Sequence, residues 1–132
     1  MLNNDALIMI VDDMKMMRTA IRRYLNTLGY NNIIEAENGA EAVKKFHDNK
    51  VSFIFMDLVM PIMTGVEALK KIRETDTEIP ITMLTSVADQ KTIDDCMMHG
   101  ILDYILKPLN AESGPETIKK VLEKAYFAKA AG

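Results

Sequence analysis

Four short stretches hold the residue types that could do chemistry together: Asp12-Asp13, Asp57, Thr85-Ser86 and Lys107. Three carboxylates brought close together would repel one another and hold on to their protons unless a cation neutralised them. Hard carboxylate oxygens with room for water suit Mg²⁺. Three carboxylates, one lysine and one divalent ion then come to about zero formal charge. An anion added to one carboxylate would face the metal, the ammonium group and the threonine hydroxyl. Phosphoryl transfer requires that set, because its catalysis is mostly positioning and charge neutralisation. Singly, each stretch has a plainer reading. Asp12-Asp13 and Thr85-Ser86 suit helix caps, Asp57 a loop, and Lys107 a solvated surface.

The surrounding elements decide whether the four stretches meet. Residues 6–11 form an apolar run of strand length, and Asp12-Asp13 follow at once. Met14, Met17, Ile21, Leu25 and Leu28 then recur at helical spacing, with Lys15, Arg18, Arg22 and Arg23 largely on other faces. Gly29 closes that helix. Residues 32–36 read as a second strand, and Asn38 caps a helix from Gly39 to about Asn49 that turns Ala42, Val43 and Phe46 inward. Residues 51–56 read as a strand buried on both faces, ending at Asp57. Pro61 and Gly65 bring loop chemistry, and a third helix over residues 66–74 buries Val66, Leu69 and Ile72. Residues 79–84 form a fourth strand before Thr85-Ser86. Asp89 begins a fourth helix with Ile93 and Met97 inward and Gly100 as its stop. Residues 103–106 form a fifth strand before Lys107-Pro108. Pro115 opens a last helix with Ile118, Val121, Leu122 and Ala125 inward and Tyr126 at the margin of that stripe.

Five strands alternating with five helices predict an α/β fold, a doubly wound parallel sheet. In such a sheet every strand ends on the same edge, where open α/β folds build their sites. That edge would collect Asp12, Asp13, Asp57, Thr85, Ser86 and Lys107, with Glu35-Ala36-Glu37 adding negative field at the rim.

Composition narrows the classes. The chain of 132 residues suits one domain, residues 1–132, with no repeat or linker. A net charge of -3 argues against a nucleic-acid footprint. The lone Cys96 cannot form an internal disulfide, which fits a reducing compartment. No apolar run approaches a membrane span or a secretory signal, so the reading is cytoplasmic. His47 and His99 have no ligand set around them and read as surface residues. Met14, Met16 and Met17 read as core and rim packing, and Met98 as the exposed member of Met97-Met98.

Taken together, Asp12-Asp13, Met56-Asp57, Met60-Pro61, Gly65, Thr85 and the run Asp103-Tyr104-Ile105-Leu106-Lys107-Pro108 resemble the receiver domain of two-component response regulators. The resemblance runs from about Leu7 to Ala125. The segments Met17-Arg18, Leu28-Gly29-Tyr30 and Glu35 to Gly39 are most similar to the single-domain chemotaxis regulators. The resemblance implies a flavodoxin-like strand order 2-1-3-4-5. It implies that Asp57 takes a phosphoryl group from a histidine kinase, with Mg²⁺ held by Asp12, Asp13, Asp57 and the Val59 carbonyl. Lys107 would pair with the phosphoryl oxygens. Thr85 would draw its loop inward, Tyr104 would follow as the aromatic switch, and Lys107-Pro108 would be cis. The chain would then be no enzyme beyond catalysing its own phosphorylation and dephosphorylation. The partner would be a downstream protein such as a flagellar motor switch protein, with a phosphatase as a further one, and neither nucleic acid nor membrane.

Three features depart from the family pattern: Val59 for a polar residue, Ser86 for alanine, and a longer connection at residues 110–114, which could displace the last helix. Val59 and Val87 would flank the phosphoryl group without orienting a water, which implies slow loss of phosphate. Other readings remain. The chain could be a receiver of another two-component pathway, or one cut from a longer DNA-binding regulator. A haloacid dehalogenase-type phosphatase would want Asp-x-Asp, whereas this chain has Asp12-Asp13-Met14. A flavin binder would want a phosphate-cradling loop in place of two carboxylates.

Overall fold

The computed structural model describes residues 2–86 and 89–131, with side chains described only as far as residue 126. Val87 therefore lies outside the described residues. Ten elements alternate along the chain: β1 (Ile8–Val11), α1 (Lys15–Thr27), β2 (Ile33–Ala36), α2 (Gly39–Asp48), β3 (Phe53–Met56), α3 (Gly65–Arg73), β4 (Ile81–Thr85), α4 (Gln90–Met98), β5 (Asp103–Leu106) and α5 (Gly114–Ala131). The strands form one parallel sheet in the order β2-β1-β3-β4-β5, as expected.

Strand periodicity builds two cores from the same strands. Met9, Val11, Ile54, Met56, Ile81 and Met83 point to one face, where Ala42 of α2, Leu69 and Ile72 of α3 and Cys96 of α4 cover them. Ile8, Ile10, Phe53, Phe55, Leu84 and Ile105 point to the other, under Ile21 and Leu25 of α1 and Ile118, Val121 and Leu122 of α5. β1, β3 and β4 are buried along their whole length, which is why they read as unbroken apolar runs. Each fully buried large aliphatic or aromatic side chain contributes roughly 1.5–3 kcal/mol.

The helix ends follow local chemistry. The Asn38 side chain accepts from the Glu41 N–H, and Thr64 with Glu67 makes a capping box at α3. Gly29 and Gly100 adopt positive φ just after α1 and α4, ending both helices. The connection before α5 is braced by Asn110: its side chain accepts from the Glu112 and Ser113 N–H groups, and its carbonyl from Gly114. α5 begins at Gly114, one residue before the predicted Pro115, and packs against the Tyr24 ring.

Some expectations fail. The fourth strand begins at Ile81, after Pro80, and includes Thr85. On α4 it is Cys96, not Met97, that turns inward: Met97 is 58% exposed and Cys96 1%. Ile93 and Cys96 share the buried face; Met97, also one turn on from Ile93, lies on the side of it away from Cys96 and faces outward. Tyr126 is exposed, and so are Met14 and Met16, leaving only Met17 of that cluster packed on the core.

The loop from β3 to α3 is fixed by close approach at Gly65. Its N–H donates to the Leu58 carbonyl, and an added Cβ would lie 2.0 Å from the Asp57 carbonyl oxygen. A contact that short forces backbone movement. Gly65→Ala is therefore expected to lower the stability by about 2 kcal/mol, read as a fall in the urea midpoint with unchanged slope.

Candidate functional site

The backbone ladder continues one residue past three strands and so fixes where the charged residues start. The Asp12 N–H donates to the Ala36 carbonyl at 3.1 Å, the Asp57 N–H to Val11 at 2.9 Å, and the Lys107 N–H to Thr85 at 2.9 Å. The parallel register thus brings the ends of β1, β3 and β5 to one edge. The side chains of Asp12 and Asp57 are buried there, that of Lys107 nearly so, and Asp13 is exposed.

Their side chains converge. The Lys107 Nζ lies 2.6 Å from Asp12 Oδ2 and 3.4 Å from Asp57 Oδ2. Asp12 Oδ1 accepts the Met14 N–H at 2.9 Å. Carboxylate oxygens of Asp12, Asp13 and Asp57 all lie within 4.8 Å of one another. Burial pushes the Asp57 carboxyl above its ordinary value and the Asp12 charge pushes it further; the Lys107 ammonium and the Val59 N–H offset only part of this. With two of three carboxylates buried and one lysine between them, negative charge is in excess. The donor set is all oxygen, closely spaced and open on the Asp13 side, and it fits a hard divalent cation such as Mg²⁺.

Other predicted residues surround this cluster. Thr85 is buried at the end of β4 and Ser86 is exposed. The Val59 side chain is exposed at the rim. Tyr104 is 39% exposed on β5. The Lys107-Pro108 peptide is cis. His47 is exposed, and His99 is half-buried with its Nδ1 2.8 Å from the Asp95 carbonyl oxygen, so neither joins the cluster.

The sequence reading missed Arg18. It reads as lying largely on another face than the apolar stripe, yet it is 7% exposed. Its NH1 donates to the Asp12 carbonyl at 2.7 Å and its Nε to Glu35 at 2.9 Å. Glu35 also takes Arg22, so this acid is neutralised by two guanidinium groups and adds little field at the rim. Burial alone would push the Glu35 carboxyl up, but the hydrogen bonds and charges of Arg22 and Arg18 outweigh it and hold it below the usual value. A signal was present: Arg18 precedes Ile21 by three and Leu25 by seven residues, the spacing of one helix face.

A cleft of about 820 Å³ at the opposite, amino-terminal edge of the sheet holds none of these residues. Arg73 lines it, and its guanidinium donates to the carbonyls of His99, Asp76, Ile79 and Gly100.

Comparison with known proteins agrees with the geometry. The sequence profile described as the response regulator receiver domain matches residues 8–119. The chain is 38% identical to the chemotaxis protein CheY of Bacillus subtilis (strain 168) over 87% of its own length and 96% of that protein's. A solved structure of Vibrio cholerae chemotaxis protein CheY4 shares 30% identity and superposes with a TM-score of 0.82, covering 92% of this chain and 98% of that one. The CheY of a Borrelia burgdorferi CheX-CheY-BeF3-Mg complex shares 25% identity with a TM-score of 0.83, covering 92% and 89%.

The raised Asp57 carboxyl has a consequence for stability. Its folded pKa lies above the unfolded value, so the folded state holds this proton more tightly. Stability from this group is present below the unfolded pKa and is lost as pH rises through the folded one. At neutral pH without metal, Asp57→Asn is therefore expected to melt higher than the wild type. The gap should close as pH falls into the carboxylate range, and Mg²⁺ should raise the wild type more than the variant. Thermal melts between pH 4 and 8, with and without Mg²⁺, check all three.

Proposed function

The chain belongs to the response regulator receiver domain family, and we propose that it is a phosphorylation-dependent switch that takes a phosphoryl group from a histidine kinase onto Asp57. The observation that carries this is the Lys107 ammonium held between Asp12 and Asp57, beside three carboxylates within 4.8 Å. In the transfer, an Asp57 carboxylate oxygen forms the new O–P bond as the N–P bond of the donor phosphohistidine breaks. The imidazole nitrogen keeps the electron pair. Asp12, Asp13, Asp57 and the Val59 carbonyl would hold Mg²⁺, which when bound supplies charge neutralisation to the phosphoryl oxygens. Lys107 would turn from Asp12 toward those oxygens. The protein would act on no substrate but its own aspartate.

The readout follows from Thr85 and Tyr104. A phosphoryl group on Asp57 offers new acceptor oxygens beside β4, where Thr85 ends the strand. Drawing the Thr85 hydroxyl toward them would shift the loop before α4 and let the half-exposed Tyr104 ring move inward. The surface that changes spans α4, β5 and α5, where Met97, Met98, Tyr104 and Leu106 are exposed. The relatives are chemotaxis proteins, which supports a role in chemotaxis with a flagellar motor switch protein as target. The Borrelia protein's complex with CheX supports a further protein partner.

Two measurements test this. A small-molecule phosphodonor should add one phosphoryl group, seen by mass, only with Mg²⁺; uptake by Asp57→Asn equal to wild type, or uptake indifferent to chelator, would refute the site. Phosphorylation should also tighten binding of a motor switch peptide to the wild type. Met98→Asp should weaken that binding at least about tenfold, a cost of about 1.4 kcal/mol, with uptake intact. Thr85→Ala should accept phosphate and lose the gain in affinity.

A further inference from the structure

We infer that Arg18 is a positioning residue for the acid site: through the Asp12 backbone carbonyl it holds the β1–α1 turn in the shape that lets Asp12 and Asp13 bind a divalent cation. This rests on the reading of that cluster as the Mg²⁺ site.

Apart from the bonds that the Asp12 carboxylate accepts from Met14 and Lys107, the turn has little else to hold it. α1 starts at Lys15 with Met14 as its N-cap, and Met14 makes no side-chain cap bond. No acidic residue lies in the first turn of that helix. An uncapped helix start leaves the preceding turn free to fray. Here Arg18 reaches back from the second turn and donates to the Asp12 carbonyl at 2.7 Å, a charge-assisted bond in a buried setting. With it, every polar group of Asp12 is engaged. The N–H goes to Ala36, the carbonyl to Arg18, Oδ1 to the Met14 N–H and Oδ2 to Lys107. Rotation of the Asp12–Asp13 peptide would break the Arg18 bond first, and that peptide sets where the Asp13 carboxylate points.

Arg18 is itself held. Glu35 receives its Nε on one oxygen at 2.9 Å and the Arg22 Nε on the other at 2.9 Å. β2 thereby braces the turn at the end of β1, and Lys45 of α2 donates to the Glu35 carbonyl in turn. The fork geometry of a guanidinium is needed here, since one nitrogen serves a carbonyl and another a carboxylate.

The inference makes a prediction opposite in sign to plain electrostatics. Arg18 is a positive charge near a cation site, so its charge alone disfavours Mg²⁺. Removing it should tighten binding if charge were all that mattered. If it positions the acids, removing it should weaken binding, by about tenfold on the scale seen when the partners that orient metal ligands are lost. Arg22 supplies the control: it pairs with the same Glu35 and carries the same charge, and its hydrogen bonds among the described residues go to Glu35 and Ile33, not to Asp12.

The experiment is calorimetric titration of Mg²⁺ alone into wild type, Arg18→Met, Arg18→Lys and Arg22→Met, well below each variant's melting temperature. Expected are about tenfold weaker binding for Arg18→Met, a smaller loss for Arg18→Lys, and wild-type or tighter binding for Arg22→Met. Binding by Arg18→Met or Arg18→Lys as tight as wild type, or equal losses for Arg18→Met and Arg22→Met, overturns the inference. Should Arg18→Met not fold, Arg18→Lys against Arg22→Met still decides it. Phosphoryl uptake by the wild type is measured separately, so a failure of the phosphorylation reading leaves the Mg²⁺ result standing. Absence of Mg²⁺ binding by the wild type overturns both.

Discussion

A buried excess of negative charge is the constraint on which the rest depends. Asp12 and Asp57 are both nearly closed to water, and one ammonium group stands between them. Such a cluster is costly to desolvate, and losing the Lys107 ammonium would leave its charge uncompensated at a cost of about 3–5 kcal/mol. It persists only because the fold leaves its members nowhere else to go. Backbone bonds from Asp12 to Ala36, Asp57 to Val11 and Lys107 to Thr85 lock each residue one rung past a strand. Those rungs coincide because the sheet is parallel. The sheet can be parallel and fully covered because the strands carry apolar side chains on both faces.

The loops then convert a rigid edge into a site. The β3–α3 loop is pinned by Gly65 under Asp57, by the capping box at Thr64, and by the Gly39 N–H donating to Met63. Within it Ile62 has a φ of +70°, a left-handed conformation that costs a β-branched residue about 1–3 kcal/mol. Ile62 is also 82% exposed, so burial does not offset that cost. Neighbouring Met60 is buried at 6% and holds the loop to the core. The β1–α1 turn lacks a side-chain cap and depends on Arg18 and the Asp12–Met14 bond. Rigidity on one side of the acids thus comes from close backbone packing, and on the other from a partly buried ion pair.

Much of this was readable from the sequence because it rests on local patterns. The strands around Asp12 and Asp57 are short unbroken apolar runs, and Asn38, Asp89, Gly29 and Gly100 punctuate helices by chemistry of their own. What escaped notice rests on partners distant in sequence. Arg18 shares the spacing of Ile21 and Leu25, yet an arginine there reads as lying on another face, since nothing nearby shows that Glu35, seventeen residues on, would neutralise it inside the fold. Met97 looked buried because an apolar residue at a helical spacing usually is; the smaller Cys96 lies one position earlier and took the inward place. The residues 110–114 connection looked disruptive on length alone, whereas Asn110 folds it into an ordered turn.

The arrangement also bounds what a switch built on it can do. In this structure the Lys107 ammonium is closer to Asp12 than to Asp57, so the charge that phosphate would recruit is already engaged. Phosphorylation of Asp57, as proposed, would compete for it, and the net gain would be the difference between two strong pairings. A modest gain of that kind can shift a population without locking it. A shift from 1:99 to 99:1 would need about 5.5 kcal/mol of preference for one form. In the proposed switch, each charge-assisted bond gained at Lys107 or Thr85 would be offset by the pairing given up, so the net would fall short of that. In the proposed function, the remainder would come from the partner. Met98, Tyr104 and Leu106 already expose apolar surface, and burying it on contact adds free energy that favours the same form. The coupling is reciprocal: a partner that prefers the phosphorylated form must in turn stabilise phosphate on Asp57 by the same factor.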